Sequence, residues 1–223
     1  MSVKNRNSIV TDGLVFYVDA GNEDSYAGSG TTWTDLSGNG NEIELVNGPT
    51  YNSGNGGSIV FDGVNDFARE LTYTGPSMTL NGPLTLSGWF NYDSYGSTHS
   101  TLGLVNSSNA VQMGFRGGQG ASWKWGGNVL VNYSVPSTGT WFNSTLTLNG
   151  STAISYINGE LDTTNLSASP NTAALASIVM SSYTTGGSGE RFVGKISGVS
   201  LYNRVLSASE ILQNYNALKN RFI

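Results

Sequence analysis

Residues 201–211 read Leu201-Tyr202-Asn203-Arg204-Val205-Leu206-Ser207-Ala208-Ser209-Glu210-Ile211, and within them an extended segment gives way to a helix. Ser207 is an N-cap residue: its hydroxyl can accept from backbone N–H groups that the first helical turn leaves unpaired. Glu210, three positions on, completes a capping box, and Val205 and Leu206 stand where a hydrophobic staple sits. Beyond the cap, Ile211, Tyr215, Leu218 and Phe222 recur at helical spacing. One stripe of this helix must therefore lie on an apolar surface, expected to be the convex sheet of the same chain. No other part of the chain has that period. A strand over 191–202 precedes the hinge, with Gly198 placed for a bulge.

Working backwards, the rest of the chain alternates with period two. In the segment 84–92, Leu84, Leu86, Phe90 and Tyr92 share one face, and Thr85, Ser87, Trp89 and Asn91 the other. The segment 141–148 repeats the pattern, with Phe142, Leu146 and Leu148 against Asn143, Thr145 and Thr147. Asn149-Gly150 and Asn158-Gly159 predict two-residue hairpin turns. Further strands are expected over 13–19, 58–61, 68–73, 102–105, 111–115, 128–133, 153–157, 160–163 and 172–181. About a dozen short strands with Gly and Asn turns predict an all-β jelly-roll sandwich of two curved antiparallel sheets, with one C-terminal α-helix. The Gly-rich stretches 52–57, 114–120 and 184–189 read as loops at the sandwich ends. No composition break divides the chain, so residues 1–12 form an N-terminal arm and 13–223 one domain.

Composition narrows the functions. The chain has 223 residues, and only 11% are charged, against about 25% in ordinary soluble domains. Ser, Thr, Asn and Gly must make up much of its surface. Such a surface suits packing against neighbours or contact with sugars through hydroxyl and amide groups; a well-solvated extracellular-type β protein would share it. The net charge of −5, with ten scattered Lys and Arg, argues against a nucleic-acid binder, which needs a basic stripe. There is no cysteine, and no apolar run approaches the ~20 residues of a membrane span. The N-terminal residues carry no apolar core after Lys4 and Arg6, so no signal peptide is expected. That leaves the cytoplasm or a route out of the cell other than secretion, such as a virus particle.

Leu84-Thr85-Leu86-Ser87-Gly88-Trp89-Phe90, Trp141-Phe142-Asn143, Tyr156-Ile157-Asn158-Gly159-Glu160-Leu161, Gly194-Lys195-Ile196 and Tyr202-Asn203-Arg204-Val205-Leu206-Ser207 carry a family likeness. In order and spacing they resemble the concanavalin A-like lectin/glucanase superfamily, nearest its laminin-G/pentraxin-like branch, over about residues 13–218. The resemblance implies a jelly roll. A narrower similarity joins Gly13-Leu14-Val15-Phe16-Tyr17-Val18-Asp19-Ala20-Gly21-Asn22, Thr32-Trp33-Thr34-Asp35-Leu36-Ser37-Gly38-Asn39-Gly40-Asn41 and the C-terminal Gln213-Asn214-Tyr215-Asn216-Ala217-Leu218-Lys219-Asn220-Arg221-Phe222. These are similar to lectin-fold virion proteins of tailed bacteriophages.

Glucanases of this fold need paired carboxylates. Glu160-Leu161-Asp162-Thr163-Thr164 lacks the third acid of their strand motif. Glu42-Ile43-Glu44 puts two acids on one face, read as the solvated face of an outer strand. The single histidine, His99, falls in a Ser/Thr-rich stretch and reads as an exposed loop residue, so no Ser-His-Asp set can be assembled. No enzyme activity is expected.

Two loops offer oxygen ligands for calcium. Asp35, Ser37 and Asn39 alternate as in the opening of a calcium loop, but position twelve is Val46 rather than Glu. Asp62, Asn65 and Asp66 fill a turn that the resemblance implies lies near a metal edge. Self-held turns, of Asx type at 35–41 and with Asp62 capping backbone N–H groups at 62–66, are the favoured reading of both. For sugar, Trp123 and Trp125 would share a strand face, with Gln119 and Asn128 beside them. Packing of both indoles into the sandwich or a subunit interface is the competing arrangement. Trp33, Trp89 and Trp141 read as structural.

The expectation is a virion structural protein: a decoration, fibre or tail-appendage component. It would be homo-oligomeric, contacting other virion proteins and a host-surface glycan, with no nucleic acid or membrane partner. No cofactor is required, calcium being optional. A calcium-dependent carbohydrate-binding module is the alternative, and a polysaccharide hydrolase the third reading.

Overall fold

The computed structural model describes residues 8–95, 98–106, 110–116, 120–125, 128–170, 172–182, 184–187 and 190–223. In chain order its strands are β1 (Leu14–Asp19), β2 (Thr32–Trp33), β3 (Ile43–Val46), β4 (Thr50–Asn52), β5 (Ser58–Asp62), β6 (Phe67–Arg69), β7 (Leu84–Tyr92) and β8 (Thr98–Val105). They continue with β9 (Ala110–Arg116), β10 (Gly120–Trp125), β11 (Asn128–Asn132), β12 (Trp141–Asn149), β13 (Thr152–Ile157), β14 (Glu160–Asn165), β15 (Ser177–Met180) and β16 (Val193–Tyr202). One helix, α1 (Ala208–Leu218), follows.

Two eight-stranded antiparallel sheets face each other. The first runs β14-β13-β12-β7-β16-β5-β4, with β1 also on β16; the second runs β11-β10-β9-β8-β15-β6-β3-β2. The alternation in β7 decides its two faces. Leu84, Leu86, Phe90 and Tyr92 enter the core shared with Phe142, Leu146, Ile178 and Trp123, whereas Trp89 and Asn91 turn outward. Every β7 residue is buried, because both faces of this central strand are covered.

The strands exceed the dozen expected. β2, β3, β4 and β10 are two to six residues long, too short to show alternation between Gly- and Asn-rich flanks. Asn158 (φ 53°) and Gly159 (φ 81°) form the expected two-residue turn, both in the left-handed region. In the preceding hairpin Asn149 pairs with Thr152, so the loop is Gly150-Ser151. That is one residue later than expected, because a glycine at the first central position supplies the single positive φ (56°) this turn needs. The Gly198 bulge is present, as a register shift between Ile196 and Gly198 against β7.

The helix start is as its sequence dictates. Ser207 and Glu210 form a reciprocal capping box, and Leu206 packs with Ile211 in one cluster with Tyr156 and Tyr202. Arg204 hydrogen-bonds the Glu210 carboxylate at 2.7 and 3.1 Å, which pulls its pKa down to about 2. The apolar stripe lies on the outer face of the first sheet. Tyr215 stacks on Trp89 at 5.5 Å, and Phe222 stacks on Trp89 at 4.2 Å and lies 4.8 Å from Trp141. Trp89 and Trp141 are structural, as expected. The arm docks alongside: Val10 N–H donates to Asn214 Oδ1 at 2.7 Å, and Gln213 Nε2 to the Ser8 carbonyl at 2.9 Å.

Candidate functional site: a groove at the β2–β3–β6 edge

The groove begins with a loop that holds itself. Asp35 Oδ1 accepts from the backbone N–H of Tyr17 (2.9 Å) and Ser37 (2.8 Å). Its Oδ2 accepts from Ser37 Oγ (2.8 Å) and from the Asn41 N–H (3.1 Å) and Nδ2 (3.3 Å). Ser37, Asn39 and Asn41 side chains converge on the Val15 carbonyl. Asn41 Oδ1 then accepts from the N–H groups of Thr74 and Gly75, and Thr74 Oγ1 donates to the Asn39 carbonyl. The two loops flanking β3 and β6 are thus tied together where the groove opens.

Thr32, Gly40, Glu42, Ile43, Glu44 and the run Arg69-Glu70-Leu71-Thr72 line a groove of about 300 Å³. Pairing of β2 with β3 and β3 with β6 sets Thr32, Glu44 and Arg69 in one cross-strand row. Arg69 Nε meets Glu44 Oε2 at 2.9 Å, and Arg69 Nη1 donates to the Thr185 carbonyl at 2.9 Å, so the guanidinium is fixed from two sides. The row continues through Val179, Gly103 and Gln112 to Lys124, across the sheet. Toward that end it is buried, and Gln112 Oε1 has no hydrogen-bond partner among the described residues. Leu71, 67% exposed, supplies an apolar edge at the open end.

Glu70 underlies the groove. Its Oε2 accepts from the Ile178 N–H at 3.2 Å, while Oε1 has no partner among the described residues. Burial pushes this carboxyl up to about 8. A carboxyl raised in the folded state and ordinary, near 4.5, in the unfolded chain stabilises fully below pH 4.5 and loses that contribution as pH rises to about 8. Glu70→Gln is expected to abolish this slope and to be more stable than the parent at pH 9 by roughly 2 kcal/mol. Urea unfolding at pH 4, 6 and 9 checks it; equal slopes for the two proteins would refute it.

Of the two calcium candidates, the Asp35 carboxylate is saturated by the loop's own hydrogen bonds, and the Asp62 turn is held in part by its carboxylates. All five donors on Asp35 come from the protein, and Ser37 and Asn39 are engaged with Val15. Asp62 Oδ1 accepts from the N–H groups of Val64, Asn65 and Asp66, which holds its carboxyl below the usual range. Asp66 Oδ2 is turned back onto the Asp62 N–H, and burial raises Asp66. Among the described residues no three His, Cys, Asp or Glu converge as a metal site, and both Asp35 oxygens, Asp62 Oδ1 and Asp66 Oδ2 serve as turn acceptors.

The aromatic platform is corrected. Trp123 and Trp125 do share a face, but it is the inner one; both belong to the core, at 0% and 8% exposure, and no ligand can stack on them. Asn128 is exposed at the start of β11, and Gln119 lies outside the described residues. His99 is also corrected. It is a buried β8 residue among Tyr92, Phe115 and Phe192, and burial, with Lys124 adding, lowers its pKa to about 4. Asp162 accepts from Ser134 N–H (2.7 Å) and Oγ (2.6 Å), tying β14 to a neighbouring loop. Arg69, Glu70, Leu71, Thr72 and Thr32 were missed as site residues. Glu42-Ile43-Glu44 was the one signal, and its reading as an outward face of an outer strand is correct.

Residues 68–212 match the family described as Laminin_G_3, concanavalin A-like lectin/glucanases superfamily. The match takes in well over half of the chain, which belongs to that superfamily. Comparison with curated protein sequences finds no match. Among solved structures, domain 4 of the Geobacillus stearothermophilus arabinanase AbnA, in complex with arabinotriose, is similar at 18% identity and TM-score 0.70, over 91% of this chain and 98% of that one. Trypanosoma rangeli sialidase with the inhibitor DANA is similar at 16% identity and TM-score 0.62, over 93% of this chain. The receptor-binding domain of botulinum neurotoxin C/D mosaic serotype is similar at 16% identity and TM-score 0.64, over 92%. The matches take in only 33% of the sialidase and 51% of the neurotoxin chain. These likenesses establish the lectin/glucanase-like sandwich.

Proposed function

We propose that this chain is a non-catalytic glycan-holding module, serving as a decoration, fibre or tail-appendage component of a phage particle. The groove carries the reading. A fixed Arg69–Glu44 pair and the hydroxyls of Thr32 and Thr72 offer donors and acceptors for sugar hydroxyls, and Leu71 offers an apolar edge for a C–H face. The arabinotriose complex of the similar arabinanase domain supports a sugar ligand. Asp162 is committed to Ser134 and Glu44 to Arg69, which supports a module without hydrolytic chemistry. The phage setting rests on the similarity of both chain ends to virion proteins and on the sparsely charged surface, which suits neighbouring virion subunits and a symmetric homo-oligomer.

A glycan array, probed with and without chelator, tests the binding half. Retention of a subset of glycans, unchanged by chelator, is expected; a protein that ignores every glycan removes it. A purified particle whose mass spectrum lacks the chain removes the virion half.

A further inference from the structure

We infer that the groove at the β2–β3–β6 edge selects saccharides bearing a free ammonium, the unacetylated amino sugars, with Glu42 as the group that holds the charge. The inference rests on the glycan-binding reading above and names its ligand class.

The argument is one of charge and commitment. Glu42, Glu44 and Arg69 are the charged side chains at the groove surface. Arg69 is already held by Glu44 and by the Thr185 carbonyl, so an acidic sugar would have to compete for the one cation that lines the groove among the described residues. Glu42 is exposed, and no ion pair engages it among the described residues. The groove surface therefore carries one uncompensated negative charge, and Glu70 beneath it, held protonated at pH 6 by burial, adds no cation. The whole chain has net charge −5, so the long-range field also draws cations and repels uronic and sialic acids. An ammonium on the sugar ring would donate to Glu42 in a charge-assisted hydrogen bond. Thr32 and Thr72 are left for the ring hydroxyls, and Leu71 for the ring's C–H face.

The test is calorimetric titration of the full chain at pH 6 with four probes: a glucosamine oligomer, its N-acetylated counterpart, a galacturonate oligomer, and a linear polyamine with no sugar. The glucosamine oligomer is expected to bind at least about tenfold more tightly than the other three, and to weaken in 0.5 M salt. Glu42→Gln, an exposed change that leaves thermal stability alone, should cost about tenfold for the glucosamine oligomer and little for the N-acetylated one. Equal affinity for the acetylated and free-amine oligomers overturns the inference while the glycan reading stands. So does equal binding of the polyamine, preference for galacturonate, or an unaffected Glu42→Gln variant. Binding of none of the saccharides, by contrast, removes the glycan reading itself.

Discussion

Replacing Arg221 with alanine is expected to destabilise the protein by about 3 kcal/mol, a fall in Tm of roughly 9 °C for a chain of this size. Arg221 Nη1 meets Asp19 Oδ1 and Oδ2, both at 2.8 Å, and Nη2 donates to the Gly56 carbonyl and Ser197 Oγ. Asp19 is only 6% exposed. Without the guanidinium its carboxylate keeps the Tyr17 hydroxyl and the Gly21 N–H but loses its cation, and an uncompensated buried charge is what makes a broken pair expensive. The fit around the guanidinium is close. A Cβ on Gly21 would lie 1.8 Å from the Gly56 carbonyl oxygen and 2.1 Å from Arg221 Nη2. The loss spreads to the next residue, since Phe222 is held on Trp89 by the turn that Arg221 anchors. Arg221→Lys, which keeps the charge and loses the fork, should fall between parent and alanine variant. Asp19→Asn combined with Arg221→Ala should recover part of the loss in a double-mutant cycle. An alanine variant within 0.5 °C of the parent would show that the C-terminal turn is not a clamp.

The fold was legible wherever its signal is local. A capping box needs four residues, a two-residue turn needs an Asn-Gly, and β7 needs nine alternating positions. The second sheet was less legible because its faces depend on partners far away in sequence. Glu44 meets Arg69 across 25 positions, and nothing in either neighbourhood announces the other. Trp123-Lys124-Trp125 shows that two indoles share a face, but alternation alone cannot say which face turns inward; a one-residue slip exchanges them. His99 misled for a related reason. Its Ser and Thr neighbours look like a loop, yet Ser100 and Thr101 are themselves buried, and Thr101 Oγ1 shares a hydrogen bond with the Tyr92 hydroxyl at 3.1 Å. The acids of 35–41 and 62–66 were correctly seen to cluster with amides and hydroxyls. Their use as acceptors for backbone N–H groups became visible only with the chain folded.

That use makes Asp35 the second residue whose loss should be felt strongly. Asp35→Ala strips acceptors from the N–H groups of Tyr17, Ser37 and Asn41 at once. Asn41 is fully buried, and a buried donor left without a partner costs about 1–3 kcal/mol. A total of about 4 kcal/mol, or some 12 °C in Tm, is expected once the loop relaxes toward water. Asp35→Asn should be nearly as damaging, because its amide sets N–H groups against N–H groups on one side. The same substitution reaches the groove. Asn41 loses its anchor on Asp35, which weakens its ties to Thr74 and Gly75 across the two walls. Saccharide affinity should therefore drop with stability in Asp35→Ala, whereas Thr74→Val, which removes the hydroxyl's contacts with the Asn39 carbonyl and Asn41 Oδ1 but leaves the backbone ties, should lower affinity with a Tm change of a few degrees at most. If the parent's Tm instead moved by many degrees with added calcium and Asp35→Ala abolished that response, the carboxylate would be a metal ligand, and the account of this loop as a self-held wall of the groove would fall.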